Sequence, residues 1–261
     1  KGVQGRYRRS YPEAHRRMIG NRRVILRGNS REYYVRLGEG KLSTDLGMVD
    51  LAEAANLEDG DTVLTHLGKP FVVLLPKATD FFSHGKRTGA PMMPKDIGMV
   101  MAYTGMCRRD RVLDAGTGSG IASIFFGGCA GQVVTCEARE DFSKVAAGNI
   151  ADAGLENVEA RACDVLEVTD GPFDIVHLDM QIDERHVEHA YNLLKTGGYF
   201  ATYTPFLEQT FVVMDTAKRL FGEDAVQTVE CMERELTRGK RGTRPSTRVG
   251  HTGYLTIARK I

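Results

Sequence analysis

The run RVLDAGTGSGIAS, from Arg111 to Ser123, constrains the fold of this 261-residue chain more than any other stretch. An apolar strand end, a glycine turn and a helix start follow one another without interruption. Val112 and Leu113 supply the strand, and Gly116, Gly118 and Gly120 remove the side chains that would keep a ligand from the backbone. The helix behind such a turn presents unpaired N–H groups to whatever binds there, so the arrangement suits a nucleotide-like ligand.

The glycine spacing narrows that choice. A dinucleotide fingerprint reads G-x-G-x-x-G, whereas Gly116, Gly118 and Gly120 form G-x-G-x-G behind Asp114. An acid at the strand end repels a pyrophosphate and suits the ammonium of S-adenosylmethionine. The pattern D-x-G-x-G-x-G resembles the first motif of the class I methyltransferases, which implies that Asp114, Gly116, Thr117, Gly118, Ser119 and Gly120 bind this cofactor.

Three further strands are expected to end in acids. QVVTCE ends at Glu137, near the ~20-residue offset at which a Rossmann-like acid meets ribose hydroxyls. VEARACDV carries Asp164 and FDIVHLD ends at Asp179. In an open parallel sheet the carboxyl ends of the strands line the ligand crevice, so the four acids are expected to converge on one cleft. Helix caps and turn formers are the plain alternative for any one of them.

Before the glycine turn the periodicity differs. From Val24 to about Leu75 short strand-like runs alternate with turn residues, including VILRG, EYYVRLG, DTVLTHLG and KPFVVLLP. From residue 76 to 96 the chain is rich in Gly, Pro and polar residues and is expected to be irregular. Beyond it, strands alternate with helical stretches such as REDFSKVAAGNIADAG, the pattern of a doubly wound α/β sheet. The expected organisation is a basic arm over residues 1–23, a small β-rich domain over 24–80, a connector over 81–96, and an α/β, Rossmann-like class I methyltransferase domain over 97–261.

Composition limits the partners. No apolar run of about 18 residues appears, so no membrane span is expected. The five cysteines form no C-x-x-C pair and read as reduced core residues, implying a cytoplasmic location and no structural metal. Net charge is only +1, yet residues 1–27 hold eight arginines and Lys1 against the single acid Glu13. Such an arm can contact phosphates, form a subunit surface or stay a solvated tail.

Taken together, the small β-domain, the P-K-D segment, the glycine turn and the terminal RPSTRVGHTGYLTIARK resemble the tRNA adenine-N1 methyltransferases that modify the T-loop. The similarity runs from about residue 24 to the last residues. Pro94, Lys95 and Asp96 stand where that family has its P-K-D loop, Glu137 matches its ribose acid, Asp164 its adenine-side acid and Asp179 its catalytic acid. Arg244, Pro245, Gly250, His251, Thr252 and Gly253 match its C-terminal signature. The resemblance implies a homotetramer. Where the family follows its catalytic acid with prolines and a tryptophan, this chain reads LDMQIDERH and has no tryptophan.

The expected chemistry is methyl transfer aligned by binding. Asp179 would accept the N6 hydrogens of the acceptor adenine and offset the positive charge on the methylated ring. Lys86, Arg87, Lys95, Arg244 and Arg248 are candidates for RNA phosphates, with Met93, Asp96 and His251 beside the substrate. Two other classes stay open: a methyltransferase of the same ancestry acting on a protein side chain or small molecule, and a non-catalytic tRNA-binding subunit. The intact glycine turn counts against the second.

Overall fold

A computed structural model describes residues 22–240, 242–246 and 250–261. Most of the expected arginine-rich arm, together with Arg248, lies outside the described residues. The chain divides into two compact units between Lys77 and Ala78.

In the first unit, β1 (Arg23–Gly28), β2 (Arg31–Arg36), β5 (Thr62–Leu64) and β6 (Pro70–Leu74) form an antiparallel sheet in the order β2-β1-β6-β5. A separate hairpin pairs β3 (Lys41–Thr44) with β4 (Gly47–Asp50). Asn29 and Ser30 join β1 to β2 with positive φ at both positions, the backbone that a tight hairpin turn requires and that Asn tolerates. Val24 and Leu26 of β1 pack with Val35, Val49, Phe71 and Val73 in the core of this unit. In β6 the buried Phe71 and Val73 alternate with outward residues, as a one-sided sheet demands.

The second unit opens with two helices, α1 (Ala78–His84) and α2 (Pro94–Thr104). Here the expectation of an irregular connector over 81–96 is corrected. Phe81 anchors α1, and α2 buries Ile97, Val100 and Thr104 along one stripe. Pro94 at the first helical position and left-handed Gly105 at the end delimit α2. The small β-unit accordingly ends at Lys77 rather than at residue 80.

The rest of this unit alternates strands and helices: β7 (Arg111–Ala115), α3 (Ile121–Gly127), β8 (Gln132–Cys136), α4 (Glu140–Asp152), β9 (Val158–Arg161), β10 (Phe173–Leu178), α5 (Glu184–Leu193), β11 (Leu194–Thr204) and α6 (Leu207–Phe221). Four strands close the chain: β12 (Val226–Glu230), the exposed hairpin of β13 (Leu236–Gly239) and β14 (Gly242–Pro245), and β15 (Tyr254–Arg259). The seven-stranded sheet has the order β12-β15-β11-β10-β7-β8-β9. Strands β7 to β11 run parallel, and β15 is inserted antiparallel between β11 and β12. Near-continuous burial along β7 and β10 follows from helices covering both faces. This is the expected Rossmann-like architecture, and the strand order reverses between β7 and β10, where an open α/β sheet binds its ligand. Of the five cysteines only Cys136 is buried, the other four being half-buried rather than core residues.

Candidate active site

The glycine turn lies at that reversal. Asp179 directly follows β10, its N–H donates to the Ala115 carbonyl at 2.8 Å, and the two segments run on side by side. Gly116 has φ +85°, and a Cβ there would collide with the Asp179 carbonyl oxygen. The turn can therefore approach the Asp179 loop only with glycine at this position. Beside it opens a cavity of about 240 Å³, walled by the turn, by Thr88–Met92, by Arg139 and Phe142, and by Asp179.

Asn149, on α4, holds the turn and the 86–88 segment together. Its Nδ2 donates to the Ser119 and Lys86 carbonyls, each at 2.8 Å, and its Oδ1 accepts from the Lys86 N–H at 3.1 Å. The Thr88 N–H donates to Ser119 Oγ at 2.9 Å. Nothing in the local sequence marks Asn149, because its partners lie 30 and 63 positions away.

Asp114 does not face the cavity, which corrects its expected role as an ammonium ligand. It is buried, its Oδ2 accepts from Ser123 Oγ at 2.6 Å and Thr135 Oγ1 at 2.9 Å, and its Oδ1 lies 2.8 Å from His177 Nδ1. Thr135 has one proton and gives it to Asp114, so Thr117 must donate to Thr135 across their 2.6 Å contact. Asp114 thus holds the turn in place through Thr135 and Thr117.

Glu137 lies beneath the turn. Its carboxylate accepts from the Gly118 N–H at 2.9 Å and from Arg139 Nε at 2.8 Å. Burial alone would raise this carboxyl, but the Arg139 and Gly118 hydrogen bonds outweigh it and hold the pKa below its usual value. Asp164 stands three residues beyond the end of β9, exposed, and caps a short turn by accepting the Leu166 N–H at 2.9 Å. The capping alternative accounts for one of its oxygens. Asp179 is half-buried, and burial pushes its carboxyl up to about 6; His177 opposes the rise, and Asp114 and Asp96 add to it.

Several expected substrate contacts are engaged elsewhere. Lys95 Nζ donates to Asp96 Oδ1 at 2.7 Å, to the Cys231 carbonyl at 2.6 Å and to Thr252 Oγ1 at 2.7 Å. An ammonium has three donors, so none remains for a phosphate. Asp96 is fully buried and accepts from Thr252 through its other oxygen at 2.9 Å. His251 meets acceptors with both ring nitrogens, Glu230 Oε1 at 2.7 Å and the Pro205 carbonyl at 2.9 Å. The Pro205 carbonyl first, and Glu230 with it, raise the His251 pKa by favouring the doubly protonated ring. The C-terminal His-Thr segment therefore ties α2, β11 and β12 together. Met92, not Met93, lines the cavity, while the Met93 carbonyl accepts from the first turn of α2. Lys86 and Arg87 are exposed, next to the cavity wall, and Arg244 is exposed on β14.

The donor set fits S-adenosylmethionine: a glycine turn whose backbone must come close, a buried carboxylate under it, and a cavity that opens at the strand ends. Comparison with known proteins agrees. Residues 108–241 match the model of the methyltransferase domain family. The tRNA (adenine(57)-N(1)/adenine(58)-N(1))-methyltransferase TrmI of Methanocaldococcus jannaschii is 32% identical over 91% of this chain and 94% of its own length. The tRNA (adenine(58)-N(1))-methyltransferase TrmI of Thermus thermophilus is 29% identical over 77% of this chain and 81% of its own. Among solved structures, a SAM-dependent O-methyltransferase from Thermotoga maritima superposes with TM-score 0.78 at 30% identity, covering 92% of this chain and 93% of that one. The tRNA (m1A58) methyltransferase TrmI of Aquifex aeolicus gives 0.74 at 24% identity, covering 93% and 98%, and shares the fold.

Proposed function

The chain belongs to the tRNA adenine-N1 methyltransferase family of S-adenosylmethionine-dependent enzymes, and from that premise we propose that it methylates N1 of adenine 57 or 58 in the T-loop of tRNA. The observation that carries the reading is the placement of Asp179 on the cavity wall, against the glycine turn.

S-adenosylmethionine supplies an electrophilic methyl group on a sulfonium. The chain's residues align and stabilise. In this reading the Gly116–Gly120 turn cradles the cofactor, Glu137 accepts its ribose hydroxyls, and Asp164 offers its second oxygen on the adenine side. Asp179 accepts hydrogens from the acceptor's N6 and, when ionised, offsets the charge that develops on the ring. An aspartate that titrates near 6 remains mostly ionised at neutral pH, so turnover rises as pH passes that value.

Lys86, Arg87 and Arg244 follow the RNA backbone in this reading. Arg244→Ala is expected to weaken tRNA binding and reduce its salt slope by about 1, as the loss of one phosphate contact does. Filter binding across a salt series measures it, and an unchanged slope removes Arg244 from the interface.

Assembly as a homotetramer is part of the proposal, since closed symmetric oligomers are the usual outcome for soluble assemblies and the family resemblance implies four subunits. Light scattering at micromolar concentration is expected to give four times the single-chain mass; a monomer alone would contradict it. No helix among the described residues is long and apolar enough to cross a membrane. A tRNA substrate is consistent with a cytoplasmic location.

Mass spectrometry of nucleosides from tRNA incubated with the protein and labelled cofactor tests the acceptor. Labelled 1-methyladenosine is expected. The segment LDMQIDERH favours a second reading, transfer to a protein side chain or small molecule, and the O-methyltransferase of similar structure lends it support. Label in a protein or metabolite and none in tRNA would put that reading first.

A further inference from the structure

Glu137 is saturated. A carboxylate has about four acceptor positions, and here Oε1 takes the Arg139 N–H at 3.2 Å and Arg139 Nε at 2.8 Å, while Oε2 takes the Gly118 N–H at 2.9 Å and Arg139 Nη2 at 3.2 Å. Two of these four bonds come from the backbone. The other two come from one planar guanidinium fork, a pair of donors side by side, which is also what a vicinal diol presents.

The two partners differ sharply in freedom. Glu137 is only 4% exposed, whereas the Arg139 side chain is 59% exposed and reaches the cavity wall. The guanidinium carbon lies 3.7 Å from the centre of the Phe142 ring, and Phe142 lines the same cavity. A cation–π contact gives the guanidinium somewhere to remain when its carboxylate bonds are lost.

Building on the assignment of Glu137 to the cofactor ribose, we propose that the Arg139 guanidinium competes with the ribose diol for Glu137, holding that carboxylate in its binding position and leaving it when the cofactor enters. A buried carboxylate without a partner would gain a higher pKa and a freer side chain, so the fork keeps Glu137 ionised and in place. Its cost is affinity: cofactor and demethylated product alike must displace it. Arg139 thereby tunes how readily the spent product departs, without touching the reacting atoms.

Arg139→Met keeps the stem and removes the donors. Solvent reaches the Arg139 side of the pair and screens it, so its loss is expected to tighten S-adenosylhomocysteine binding by about two- to fivefold, or about 0.4–1 kcal/mol. Arg139→Lys, which keeps the charge without the fork, is expected to fall between wild type and Met. Calorimetry with S-adenosylhomocysteine and its 2′,3′-dideoxy analogue on all three proteins separates the possibilities. The gain is expected for the natural ligand and absent for the dideoxy analogue, which has no hydroxyls to compete. If wild type prefers the natural ligand but neither substitution tightens its binding, the competition is refuted and the ribose assignment stands. If wild type binds both ligands equally, the ribose assignment falls and the competition with it.

Discussion

Asp179→Ala is expected to lower single-turnover methylation by about 10²–10³-fold while leaving cofactor affinity nearly unchanged, since the lost interaction strengthens mainly as charge develops on the acceptor ring. Asp179→Asn should lose most of the same rate and yet melt higher than wild type at pH 8. The fold raises this carboxyl from its usual 3.8 to about 6, chiefly through burial. As pH climbs from the lower value to the higher, the unfolded chain gives up its proton before the folded one, and the folded state loses stability; above about 6 the full cost stands. Two pKa units set a ceiling of about 3 kcal/mol, and solvent reaching a half-buried group brings the expected gain for Asn to about 1–2 kcal/mol. Denaturation at pH 4 and pH 8 measures it. A gain that is equal at both values, or absent at pH 8, would contradict a desolvated carboxylate at this position.

Lys95→Met is expected to destabilise the protein by about 3–5 kcal/mol, the loss that follows when one member of a buried pair is removed. The ammonium is the charge partner of a fully buried Asp96 and also holds the Cys231 carbonyl and the Thr252 hydroxyl. Urea denaturation gives the size. The double substitution Lys95→Met with Asp96→Leu is expected to recover part of the loss, because a buried pair replaced by apolar groups of similar volume is often tolerated. A single substitution that costs under about 1 kcal/mol would mean that water reaches Asp96.

How much of this was legible beforehand depended on how local each signal was. The glycine turn announces itself because its chemistry lies within adjacent residues, and Glu137 and Asp179 follow from strand ends that apolar runs reveal. Helix α2 carries its end signals, Pro94 and Gly105, in the sequence, but the Gly and Pro content around Pro94 masks them as a loop. Asp114 and Lys95 look outward-facing in the sequence because a strand end and a charged motif usually face a ligand. Their actual partners are remote: His177 lies 63 positions from Asp114, and Cys231 and Thr252 lie 136 and 157 from Lys95. No local pattern encodes such pairings. Arg139, two residues beyond Glu137, was readable in principle, since that spacing allows a side chain to fold back on its neighbour.

The insertion of β15 between β11 and β12 also bears on the order of events during synthesis. As the chain leaves the ribosome, the five parallel strands and β12 emerge before the one strand that joins them. At about 5–20 residues per second, the interval from Glu230 to Arg259 is roughly a few seconds, during which β11 presents an open edge and β12 has no neighbour within the seven-stranded sheet. Thr252 arrives in the same interval, so Lys95 and Asp96 wait for it as well. An unpaired edge invites pairing with other chains. In the folded chain a single strand, β15, covers the β11 edge, and the segment just before it brings Thr252 to complete the buried polar cluster.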